Sequence, residues 1–183
     1  MKNKECKLKK STVIVGILIV VATLGCIATP TEYDAIDLVP ETLEGYMTME
    51  RNEGIHISEG QEGCFSKPMS SAGGAYSKGS GFKGYITVFE CESEEAGQET
   101  LQDYVQSGGG VSEIELEKGI RAKLFLLAHY PVDEGGTMTP KTTPIIVWQE
   151  RNFIFNLFAV DMEADSTDNT EHLANSLIRQ SPL

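Results

Sequence analysis

The first thirty residues constrain this 183-residue chain more than any other feature. A lysine-rich start, Met1-Lys-Asn-Lys-Glu-Cys-Lys-Leu-Lys-Lys10, runs into a nearly unbroken apolar stretch over residues 13–24. A cationic segment followed by a short apolar one is the pattern of an export signal. Lysines are retained on the cytoplasmic side, so the rest of the chain is expected outside the membrane. Counted to residue 28, the apolar run holds about sixteen residues. At about 1.5 Å of helical rise each, it falls somewhat short of a bilayer core of about 30 Å.

Residues 1–28 are therefore expected to be a signal peptide or membrane anchor, an N-terminal hydrophobic helix ahead of the folded part. Three fates stay open: cleavage with lipidation, retention as a single spanning helix, or cleavage and release. The stretch Thr23-Leu24-Gly25-Cys26 resembles the prokaryotic lipobox, in which a small residue precedes the cysteine that receives the lipid. That resemblance implies lipid attachment at Cys26. Leu24 is bulkier than the usual residue, and Thr23 stands where leucine is usual.

Residues 29–41 contain two prolines and are expected to be a linker that holds a domain away from the membrane. Residues 42–183, about 140 in all, suffice for one hydrophobic core and form a single expected extracytoplasmic domain.

The chain carries a net charge of −12. Its first 25 residues hold five lysines and one glutamate, which leaves −16 on the rest. So acidic a surface repels nucleic acid and anionic headgroups. The expected partners are the membrane, through the anchor, and an envelope protein or small-molecule ligand whose identity the sequence does not give.

Of four cysteines, Cys6 lies in the cationic segment and Cys26 in the lipobox-like stretch. Cys64 and Cys91 remain in the domain. Outside the cell a Cys64–Cys91 disulfide is permitted, and two separate core thiols are the alternative. No Cys-x-x-Cys or His-x-x-x-His spacing suggests zinc.

Strand patterns occur at residues 43–49, at 55–57 and, most clearly, at 85–91, where β-branched and aromatic residues dominate. Residues 66–84 are rich in Gly and Ser and read as a loop. Ser93 is placed to cap a helix whose first turn holds Glu94 and Glu95, and Gly108-Gly109-Gly110 ends it. Strands follow at 111–116, 120–128, 144–148 and 153–160. The second of these begins alternating, with Arg121 and Lys123 outward, then becomes apolar on both faces, as a central, doubly covered strand would be. The last two are joined by a tight turn at 149–152. Asp168-Asn-Thr-Glu171 reads as a capping box for a final helix bearing Leu173, Ala174, Leu177 and Ile178 on one face. The expected fold is α+β: a mainly antiparallel sheet of about six strands, packed by two helices that can cover one face.

No catalytic residue emerges. Gly79-Ser-Gly-Phe-Lys-Gly84 fits Gly-x-Gly-x-x-Gly, but a strand rather than a helix follows it, so no helix N-terminus meets a phosphate. Residues 74–79 have P-loop glycine spacing without the Lys-Ser/Thr ending. Asp161, Glu163, Asp165 and Asp168 are spaced like the start of a calcium loop, yet Ser166 and His172 stand where glycine and glutamate are required. The histidines, His56, His129 and His172, form no local pair with Cys64 or Cys91. Trp148, the only tryptophan, is read as a core anchor more than a ligand platform. No cofactor and no metal site is expected.

The sequence Ile145-Ile-Val-Trp148, Asn152-Phe-Ile-Phe-Asn-Leu157, an acidic turn and His172-Leu-Ala-Asn-Ser-Leu177 resembles the C-terminal strand–Trp–strand–helix pattern of small extracytoplasmic domains. These occur in uncharacterised prokaryotic membrane proteins and lipoproteins, some of them following anti-sigma anchors. The element order is also similar to the PsbP/Mog1-like sandwich. The resemblance covers under a quarter of the chain. It implies an exported sheet-plus-helix domain that binds something, and it transfers no catalytic residue.

Overall fold

The computed structural model describes residues 33–55, 63–79, 81–107, 110–129, 141–161 and 167–183. The helix expected at the N-terminus, Cys6, Cys26, His56 and the acidic residues 163 and 165 lie outside them.

Seven strands form one antiparallel sheet: β1 (Met47–Glu53), β2 (Ser70–Lys78), β3 (Phe82–Glu90), β4 (Ser112–Glu115), β5 (Arg121–His129), β6 (Lys141–Glu150) and β7 (Phe153–Asp161). Their order across the sheet is β1-β2-β3-β7-β6-β5-β4. Helix α1 (Glu94–Ser107) leads from β3 to the far edge strand, and α2 (Thr167–Gln180) ends the chain. The α+β expectation holds, with seven strands rather than six.

Strand β2 lies in the region read as a loop, while of the short strand read at 55–57 Ile55 belongs to no strand and the other two residues lie outside the described ones. The β2 sequence, Ser-Ser-Ala-Gly-Gly-Ala-Tyr-Ser-Lys, lacks β-branched residues because neighbours crowd both of its faces. A Cβ on Gly73 would overlap Ile55 Cδ1, and one on Gly74 would lie 2.8 Å from Val39 Cγ1. Lys78 pairs with Phe82, so β2 and β3 are consecutive antiparallel strands and the last three residues of the Gly-x-Gly-x-x-Gly segment begin β3. At the start of the sheet, the strand pattern read at 43–49 is shifted: Leu43 and Tyr46 form an isolated bridge and β1 begins at Met47.

The two helices lie on opposite faces, not on one. Side chains alternate across a sheet. Ile86, Ile146, Trp148, Phe155 and Leu157 face α2, whose Leu173, Ala174, Leu177 and Ile178 are buried against them. Phe89, Val147, Ile154 and Phe125 point the other way, into a second cluster with Phe65, Cys64, Cys91 and the α1 side chains Leu101 and Tyr104. Helix α2 comes close to β3 because residue 84 is glycine; any Cβ there would overlap Leu173 Cδ2. Ser93 Oγ accepts from the Ala96 amide at 3.1 Å and so caps α1. Helix α2 starts at Thr167, so Asp168 lies inside its first turn rather than at the cap.

The packed unit runs from Tyr33 to Leu183. Residues 33–41, read as linker, therefore belong to the fold. Ala35, Leu38, Val39 and Leu43 are buried on the α2 face, beside β2 and β3. The pattern is hidden because an eleven-residue strap with three acids and a proline has no helical or strand period. Pro144 is accommodated in β6 opposite Leu126 of β5, beyond the last β6–β7 pair, Ile145–Phe158. There its missing N–H leaves no gap in the β7 ladder.

Candidate functional site: a half-covered sheet face

Helix α1 spans only part of its face. Next to it the sheet surface is open, and the register places an aromatic and aliphatic strip there. Tyr85 stands opposite Phe158, and Phe158 opposite Ile145. In the adjacent row Lys83 stands opposite Val160, and Leu127 opposite Thr143. The Tyr85 and Phe158 rings stack, with centroids 4.9 Å apart and planes 16° from parallel. Phe158 is 37 % exposed, Val160 43 % and Leu127 57 %. Under α1, by contrast, Phe125 and Val147 of the same face are buried. Tyr104 of α1 packs on Phe125 at 4.9 Å, and burial pushes its phenol above the ordinary range.

This strip corrects one expectation. Strand β5 is apolar on both faces at residues 124–127, which suggested a central, doubly covered strand. It is instead next to the edge strand β4, and Leu126 and Leu127 are both exposed. Apolar residues on both faces signal that both faces can be covered, not that the chain's own elements cover them. The same holds for Phe158 and Val160 of β7. The visible sequence signal was therefore an excess of two-faced apolar strands over the helices available to pack them.

The electrostatics around the strip are uneven. Helix α1 exposes Glu94, Glu95, Glu99 and Asp103 and carries no cation. On the sheet beside the strip, Glu50 stands opposite Ala75, the partner of Tyr85, while Lys83 carries the opposite charge. At the far edge Lys123 donates to Glu113 at 2.6 Å and Arg121 lies 4.0 Å away. The Lys123 hydrogen bond, more than the charges of Lys123 and Arg121, holds the Glu113 carboxyl below the usual range.

The residues singled out from sequence fall in different places. Cys64, in the turn Gly63–Phe65, and Cys91, just after β3, are disulfide-bonded with Cα atoms 5.3 Å apart. The Cys64 amide donates to Thr100 Oγ1 at 3.0 Å, and that hydroxyl donates to the Ala96 carbonyl, so the bridge is stitched to α1. Trp148 is buried in the core, stacked on Phe155 at 4.8 Å, with its indole N–H donating to Glu150 Oε1. His172 Nδ1 lies 3.0 Å from Tyr46 Oη, joining α2 to the chain just before β1. Burial raises the Tyr46 phenol, and Arg179 opposes that shift. His129 ends β5, in another part of the sheet. Neither described histidine is brought to the cysteine pair. Among the described residues no group of three His, Cys, Asp or Glu could hold a metal ion. Among them, too, no helix is long and apolar enough to cross a membrane.

The fold and its exposed strip define a class: an antiparallel α+β domain with one helix on each face and one face half open. Comparison with protein-family models, with curated proteins and with solved structures finds no match.

Proposed function

We propose that this chain is a membrane-tethered extracytoplasmic domain that works by binding, lipid-anchored at Cys26, and that the open strip beside α1 is its recognition surface. The observation that carries this reading is the strip itself. A stacked Tyr85–Phe158 pair flanked by exposed Val160 and Leu127 has the composition of an interface centre, rich in aromatic and aliphatic side chains and poor in charge. Two further features support the location. The lysine-rich apolar leader is an export address, and a buried disulfide suits an oxidising exterior. Binding rather than chemistry is favoured because the strip presents rings and aliphatic groups and no nucleophile–base pair.

Two measurements test this. Cells fed a labelled lipid precursor should label the native chain and not Cys26→Ala; label retained by the variant removes the lipoprotein anchor. A photo-crosslinking residue placed at Leu127 should give a discrete adduct in cells, and one at Met69 should not. Equal yields at both positions would remove the strip as the recognition surface.

A further inference from the structure

We infer that the open strip takes a cationic amphipathic helix of a partner protein, laid beside α1; this rests on the binding role proposed above and names its partner chemistry. Strands lie about 4.8 Å apart and residues on one face repeat about every 6.8 Å along a strand, so the four strands from Ala75 to Ile145, taken two rows deep, offer a strip of roughly 19 by 14 Å, Phe125 of the next strand lying under α1. A helix is about 10 Å across and rises about 1.5 Å per residue, so a helix of about twelve or thirteen residues fits. Helix α1 has 14 residues and rests on this same face.

On the opposite face, α2 and the strap at residues 33–43 cover most of the sheet between them and leave Leu126 of β5 exposed. On the α1 face only the cluster under α1 is closed, and Val160 and Leu127 stay exposed. A second helix there would complete the layer, reading the strip through apolar side chains at i, i+3, i+4 and i+7.

A helix packed beside α1 runs about 8–10 Å from its axis. Helix α1 exposes Glu94, Glu95, Glu99 and Asp103 and carries no cation, so its exposed surface is uniformly negative. The floor is near neutral, since Lys83 and Glu50 offset one another. Apolar contacts below and carboxylates alongside match a helix with one apolar and one lysine- or arginine-rich face. The net charge of −12 would also speed its approach.

The test uses the full chain in phosphatidylcholine nanodiscs, with a fluorescent 14-residue stapled helix bearing leucines on one face and lysines on the other. Anisotropy should show saturable binding above that to empty nanodiscs. Binding should weaken at least tenfold in Leu127→Asp and in Val160→Asp, stay unchanged in Met69→Asp, and weaken at least tenfold when glutamates replace the lysines. Absence of saturable binding, equal binding of the lysine and glutamate helices, or indifference to both strip variants overturns the inference. If the helix fails while the Leu127 crosslink forms in cells, the recognition surface stands and the cationic helix is the wrong occupant. If both fail, both readings fall.

Discussion

Arg51, on edge strand β1, donates from Nε to the main-chain oxygen of Val39 at 2.7 Å. The same guanidinium donates to the carbonyl of Ile36 and pairs with Glu41 at 3.2 Å. One side chain thus ties the strap to the sheet at three points. A hydrogen bond from a charged donor contributes about 1.5–3 kcal/mol, and the exposed Glu41 pair adds little. Arg51→Ala should lower unfolding free energy by about 2–3 kcal/mol in urea titration, and Arg51→Lys by nearly as much, because an ammonium lacks the planar fork. Limited proteolysis should then cut first within residues 36–43. Unchanged stability in both variants would show that burial of Leu38 and Val39 holds the strap unaided.

Tyr76 supplies a second tie. Its buried hydroxyl donates to the Pro40 carbonyl at 2.7 Å, and burial drives its pKa up strongly, with Arg51 opposing. A phenol raised in the folded state keeps its proton when the unfolded chain has lost it. Stability is therefore fully present below about pH 10, the unfolded value, and falls as pH rises above it. Tyr76→Phe should cost about 1–2 kcal/mol at neutral pH and flatten the alkaline limb of a stability–pH curve. An unaltered limb would place the alkaline loss elsewhere, Tyr46 and Tyr104 being the next groups raised by burial.

The Cys64–Cys91 bridge closes a loop of sequence separation 27. Chain-entropy reasoning gives about 3.5 kcal/mol for a loop of this size. Cys64→Ser with Cys91→Ser should lower the denaturation midpoint accordingly. The loss should appear first as faster amide exchange in α1, because Thr100 links Cys64 to that helix. Uniform acceleration across α1 and α2 would refute that order.

Gly84 and Leu173 form a complementary pair. Gly84→Ala should destabilise by about 1–3 kcal/mol through overpacking. Combined with Leu173→Ala it should recover part of that loss, giving a favourable coupling of 0.5 kcal/mol or more in a double-mutant cycle. Strict additivity would mean that α2 shifts away from the sheet instead.

Much of the fold was legible because the segments 85–90 of β3 and 153–160 of β7 are strong local β formers, and Ser93 is a strong cap. What escaped was set by tertiary contact. Strand β2 is small and glycine-rich because Ile55 and Val39 occupy the space its side chains would take, and that reason is invisible along the chain. The strap escaped because its burial depends on Arg51 and Tyr76, distant in sequence. The open strip was half legible: Leu126 and Leu127 announced a two-faced apolar strand, but no local pattern says whether the second cover is internal or foreign. Cys64 and Cys91 could be nominated as the domain's two cysteines, and only the fold sets their Cα atoms 5.3 Å apart.

The edges of the sheet carry a last consequence. Strand β4 offers only four residues, with Glu113 and Glu115 among them. Strand β1 is interrupted between Thr48 and Glu50 and carries Glu50, Arg51 and Glu53. Short, kinked and charged borders resist the edge-to-edge joining that leads to ribbons and fibrils. Many copies can therefore be crowded side by side without their sheets fusing, which frees the domain to expose an oily face without becoming a seed for aggregation.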